Sequence, residues 1–73
     1  MDPEEIEQLI KNGLPGSQVR VQGDGRHFQA EVICAAFAGK SVLQQHRMVY
    51  GVLGEHFRSE SLHALSLITR APE

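Results

Sequence analysis

The sequence predicts an α+β fold: a single αββααβ domain over residues 1–73, with a three-stranded mixed sheet and helices packed on one face. Three observations predict it. Ile6, Leu9 and Ile10 recur at helical spacing behind an acidic start. Val19 and Val21, then Phe28, Ala30 and Val32, alternate with polar residues on either side of Gly23-Asp24-Gly25, the pattern of a hairpin. A helical stretch then separates this hairpin from a last strand-like run, Ser61 to Thr69.

The first helix begins at Asp2-Pro3-Glu4-Glu5. Asp2 can cap, Pro3 suits a first helical position that needs no N–H, and Glu5 stands where a capping box places its acid. The acids also complement the positive end of the helix dipole. Gly13 and Pro15-Gly16 end the helix. In the first strand Val19 and Val21 alternate with Arg20 and Gln22, and the glycines beside Asp24 accept the positive φ of a tight turn. The second strand is expected from about His27 to Ala35, with Phe28, Ala30, Val32 and Cys34 on one face. Gln29, Glu31 and Ile33 take the other.

Ala38-Gly39-Lys40-Ser41 breaks the strand, and Ser41 is placed to cap the next helix. Val42, Val49, Leu53 and Phe57 recur at intervals of seven and four, with His46 on the same side. Gly51 and Gly54 interrupt that repeat, so two short helices are expected to meet there. The last strand must rejoin the hairpin to complete the sheet. Arg70 to Glu73 is expected to fray.

Composition narrows the function. At 73 residues the chain forms one small domain, for which folding buries only about 60% of the unfolded surface. No apolar run approaches the roughly 20 residues that span a bilayer, and Asp2, Glu4 and Glu5 stand where a signal peptide would be apolar. A cytoplasmic protein without membrane contact is the expectation. The single Cys34 excludes an internal disulfide and a multi-cysteine metal site. A net charge of -2 exerts no general pull on nucleic acid. The charge is uneven, however: Asp2, Glu4, Glu5 and Glu7 crowd the start, while Lys40, His46, Arg47, His56 and Arg58 lie in the middle and beyond it. One Tyr, three Phe and no Trp make poor stacking platforms for single strands. An enzyme is not expected, because Ser41 and Ser66 have no base and orienting acid in a recognisable pattern.

Several side chains could carry chemistry. His63, set among Leu62, Ala64 and Leu65, reads either as a hydrogen-bonded structural imidazole or as a metal ligand. His27, just after the glycine turn, is either a polar residue opening a strand or a second ligand where a loop lets one approach. Cys34 shares the apolar face of its strand and reads as a buried small hydrophobe. His46-Arg47 could bind phosphate or carboxylate, or make a structural salt bridge; His56 reads as surface. Gly51-Val52-Leu53-Gly54 has the G-x-x-G spacing of a nucleic-acid backbone clamp, although its two central residues are apolar rather than basic.

Three runs taken together resemble the BolA family. They are Gly23-Asp24-Gly25-x-His27-Phe28, then Phe37-x-Gly39-Lys40-Ser41-x-Leu43-x-Gln45-His46-Arg47-x-Val49-Tyr50, then Leu62-His63-Ala64-Leu65-Ser66-Leu67. The glycine turn with His27-Phe28 looks most like the family's IbaG branch. The resemblance spans nearly the whole chain and implies a fold similar to the class II KH domain. It further implies pairing with a monothiol glutaredoxin and a bridging 2Fe-2S cluster shared with that partner and its glutathione. His63 matches the family's cluster-ligating histidine, and His27 lies where the second ligand of this branch is expected. Two imidazoles on one iron and thiolates on the other is Rieske-like coordination. By this reading the isolated chain holds no cluster of its own and is a monomer or weak homodimer. Cys34 does not match the family's loop cysteine. Many relatives continue beyond the last strand, so no partner contact from such a segment is carried over. The second reading is a KH-like nucleic-acid-binding regulator acting through Lys40, Arg47, Gly51 and Gly54.

Overall fold

The structure is a computed structural model that describes residues 2–24, 26–54 and 65–73. Helix α1 (Pro3–Gly13) leads into strand β1 (Gln18–Gly23) and strand β2 (Phe28–Ile33). A single 3-10 turn (Ala35–Phe37) then leads to helix α2 (Val42–Leu53), and strand β3 (Leu65–Arg70) completes the order. The strands lie side by side as β1-β2-β3. β1 runs antiparallel to β2, with Gly23 opposite Phe28 and Val19 opposite Val32. β3 runs parallel to β2, with Leu65 opposite Phe28 and Arg70 opposite Ile33. A parallel neighbour needs a crossover connection, and the segment containing α2 supplies it. The sheet is therefore mixed, as expected.

Alternation decides the two faces of the sheet. Phe28, Ala30 and Val32 of β2 and Leu65 of β3 turn inward, where they pack with Ile6, Ile10 and Leu14 of the α1 region and Val49 and Leu53 of α2. Phe37 from the 3-10 turn completes the core at 1% exposure. α1 lies against β1 and α2, and α2 against β3. Arg20, Gln22, Gln29, Ser66 and Ile68 project from the opposite, open face. Gly13 permits the approach of the two helices, because a Cβ there would collide with Val52.

Several local expectations are corrected. Asp2 occupies the cap position but its side chain makes no capping bond. Its carbonyl instead accepts from the Glu5 N–H (3.0 Å) and the Ile6 N–H (3.3 Å). β2 ends at Ile33 rather than Ala35, since β1 offers no partner beyond Gln18 and the chain turns into the 3-10 segment. Arg70 is ordered strand, its carbonyl accepting from the Cys34 N–H at 3.1 Å, and Ala71 packs on the core.

α2 differs more. Gly51 lies inside one continuous helix, and the chain leaves it only at Gly54, with φ 56° and ψ -139°. The second short helix expected after that point, the Phe57 repeat and the start of the last strand (61–64) lie outside the described residues. Ser41 caps α2 as expected: its Oγ accepts from the Gln44 N–H (3.1 Å) and Gln44 Oε1 accepts from the Ser41 N–H (2.9 Å). The buried stripe is Gln45, Val49 and Leu53. Val42, at the first helical position, stays 61% exposed.

Candidate functional site

The turn joining β1 to β2 is built around one carboxylate. Asp24 Oδ1 accepts from the main-chain N–H groups of Arg26 and His27, each at 2.9 Å. The Asp24 N–H in turn donates to the His27 carbonyl at 3.2 Å. The bonds from the main chain, that of His27 first and that of Arg26 next, hold the Asp24 carboxyl below the ordinary carboxylate range. Gly23 is required by close approach rather than by its φ. A Cβ there would run into the Phe28 ring and lie 2.6 Å from the His27 carbonyl oxygen.

This turn presents His27 exposed, while the adjacent Phe28 ring is buried at the edge of the core. Beside it lies a shallow depression of about 550 Å³, walled by Gln22, Asp24, His27, Phe28, Gln29 and Ser66. Ser66 is the second residue of β3, so the depression joins the hairpin turn to the entry of the last strand. Gln22, Gln29 and Ser66 form one cross-strand row on the open face of the sheet. Sequence reasoning missed these three, since polar residues on an exposed face carry no distinguishing pattern. The signal for Asp24 was available, since Asp beside Gly is a turn signature in which the side chain binds main-chain N–H groups ahead of it.

His63, His56 and Arg58 lie outside the described residues. Cys34 is buried at 5% exposure, in keeping with its reading as a small hydrophobe. His46 is half-buried. Lys40 is exposed just before α2, and Arg47, Gly51 and Gly54 share the exposed side of that helix. The G-x-x-G stretch is not a turn between two helices, because Gly51 to Leu53 are helical. Among the described residues, no group of three or more His, Cys, Asp or Glu could hold a metal ion. Nor is any helix among them long and apolar enough to cross a membrane.

The sequence profile of the family described as BolA-like protein matches residues 9–73. The chain belongs to the BolA family. Within it the chain falls in the IbaG-like branch: it is 35% identical over 72 residues to the acid stress protein IbaG of Escherichia coli K12, covering 99% of this chain and 86% of that protein. It is also similar to SufE-like protein 1 of Arabidopsis thaliana, 34% identical over 77 residues that make up 20% of that longer chain. Among solved structures, a BolA homologue from Coxiella burnetii superposes with a TM-score of 0.86 at 45% identity, over 99% of this chain and 92% of the other. The BolA domain of the Arabidopsis SufE1 protein gives a TM-score of 0.79 at 27% identity, over 96% and 91% of the two chains. This BolA-family fold thus carries an exposed imidazole, held through its main chain, at the rim of an open depression.

Proposed function

We propose that this chain is a non-enzymatic cytoplasmic adaptor that pairs with a monothiol glutaredoxin and shares a bridging 2Fe-2S cluster with it, His27 and His63 being the ligands from this side. The observation that carries the reading is the placement of His27, exposed on a turn held by Asp24, beside the entry of β3. Phe28 and Leu65 are register partners. His27 immediately precedes the first, so it stands beside the start of β3, the strand that the sequence of His63 leads into.

The donor set suits a shared group better than a resident one. One or two imidazoles leave most positions of a two-iron cluster to other ligands, and no group of side chains among the described residues fills them. When present, such a group supplies electron storage or a transferable iron–sulfur unit. The chain's own residues bind one edge of it and bring this surface to the partner. An imidazole must be deprotonated to ligate, which makes the association sensitive to acid.

The test is anaerobic reconstitution of a monothiol glutaredoxin with glutathione, iron and sulfide, monitored by visible absorption and circular dichroism as this chain is titrated in. A distinct heteromeric spectrum is expected for the wild type and is expected to be lost or short-lived in His63→Ala, with the thermal melt of the isolated variant unchanged. A glutaredoxin spectrum unmoved at saturating chain removes the adaptor reading.

One observation favours the nucleic-acid reading: Lys40, just before α2, is exposed, as are Arg47 and Gly51 on the helix and Gly54 at its end. The helical conformation of Gly51 weighs against a clamp of the G-x-x-G kind. A gel shift with DNA or RNA that weakens steeply with salt supports this reading; no shift at low salt removes it.

A further inference from the structure

We infer that Asp24 is a positioning residue for the His27 ligand, its carboxylate fixing the main chain from which that imidazole is presented. The inference rests on the cluster reading, but its geometry stands apart from it. Both main-chain polar groups of His27 are tied to a single residue three positions earlier. The His27 N–H donates to Asp24 Oδ1 at 2.9 Å, and the His27 carbonyl accepts from the Asp24 N–H at 3.2 Å. The same Oδ1 takes the Arg26 N–H at 2.9 Å, so the whole turn closes on one acceptor. Hydrogen bonds to an ionised carboxylate are stronger than neutral ones.

Gly23 closes the other side, since any side chain there would displace the His27 carbonyl or the Phe28 ring. The imidazole itself is exposed. A ligand needs a fixed direction, and an exposed ring has little packing to fix it. Metal-bound histidines are usually oriented by a carboxylate or carbonyl on the free ring nitrogen. Here a carboxylate acts one step further back, on the main chain. The plain alternative is that Asp24 only terminates the hairpin.

The experiment uses the full chain as wild type, Asp24→Asn, Asp24→Ala, His27→Ala and the double variant Asp24→Ala/His27→Ala. Amide hydrogen exchange by NMR on the isolated chain reads the turn. Survival of the heteromeric glutaredoxin cluster under a chelator reads the ligand. Removal of the acceptor in Asp24→Ala is expected to speed exchange at Arg26 and His27 about tenfold, the scale of one charge-assisted hydrogen bond, and to shorten cluster lifetime several-fold. Asp24→Asn keeps an Oδ1 acceptor without the charge and is expected to fall between wild type and Asp24→Ala in both readings. In the His27→Ala background, Asp24→Ala is expected to shorten the lifetime no further.

Unchanged exchange in Asp24→Ala overturns the inference, as does an equal loss of lifetime with and without His27, or an Asn variant no better than Ala. If the wild type itself forms no heteromeric cluster, the adaptor reading falls and this inference falls with it. That failure is visible before any variant is compared.

Discussion

At the scale of single residues, Gln45 shows what a tertiary environment adds to a side chain. It is 8% exposed, the one buried polar residue among those described. Its Nε2 donates to the Lys40 carbonyl at 2.9 Å and the Phe37 carbonyl at 3.5 Å, while its Oε1 accepts from Thr69 Oγ1 at 2.7 Å. One amide thus ties the turn before α2 to the end of β3. Gln45→Leu conserves bulk but leaves two carbonyls and a hydroxyl without these partners, and is expected to cost about 2–3 kcal/mol in urea denaturation. Thr69→Val removes one bond and is expected to cost about 1 kcal/mol. Nothing near Gln45 in sequence foretells this role, because Thr69 lies 24 positions away. Cys34 was legible for the opposite reason: it continues the inward alternation of Phe28, Ala30 and Val32 one residue past the end of β2.

At the scale of elements, α2 separates a cap from an interruption. The Ser41 capping box was legible because it is local, a side chain and a main chain three residues apart. Gly51 misled because its helix penalty, about 1 kcal/mol against Ala, is smaller than the packing gained by Val49 and Leu53 on either side. A Cβ at Gly51 would meet nothing within 4 Å. Gly51→Ala is therefore expected to stabilise the chain by about 0.5–1 kcal/mol, read as a raised urea midpoint with unchanged slope. Gly54 differs: its positive φ is one that L side chains rarely adopt, which makes it the true stop. Stability lost in Gly51→Ala would mean that the helix bends there in solution.

At the scale of the whole molecule, burial dominates charge. Among the described residues the one ion pair, Lys11 with Glu7 at 3.4 Å, is an exposed helical pair. Such pairs contribute about 0.3–0.5 kcal/mol, and Lys11→Ala is expected to cost no more. Phe37 by contrast is 1% exposed, and Phe37→Ala is expected to cost about 3–5 kcal/mol. A domain of this size has only about 4–11 kcal/mol in total, so a melt of Phe37→Ala beside Lys11→Ala separates the two contributions clearly. The unequal faces of the sheet arise from the same preference. Helices cover the apolar face, and the polar Gln22, Gln29, Ser66 row is left open beside His27.

The sequence by itself determined the elements whose signals are local: the amphipathic α1, the hairpin around Asp24, the Ser41 cap and the inward alternation of β2. It also placed His27 just after the glycine turn and marked the chain as BolA-like. Only the tertiary structure decided that β3 pairs with β2 and in which register, that α2 runs through Gly51, and that the Asp24 turn meets the entry of β3 at one depression. Those outcomes depend on contacts between residues far apart in the chain, where packing energy outweighs the small local preferences that a sequence displays.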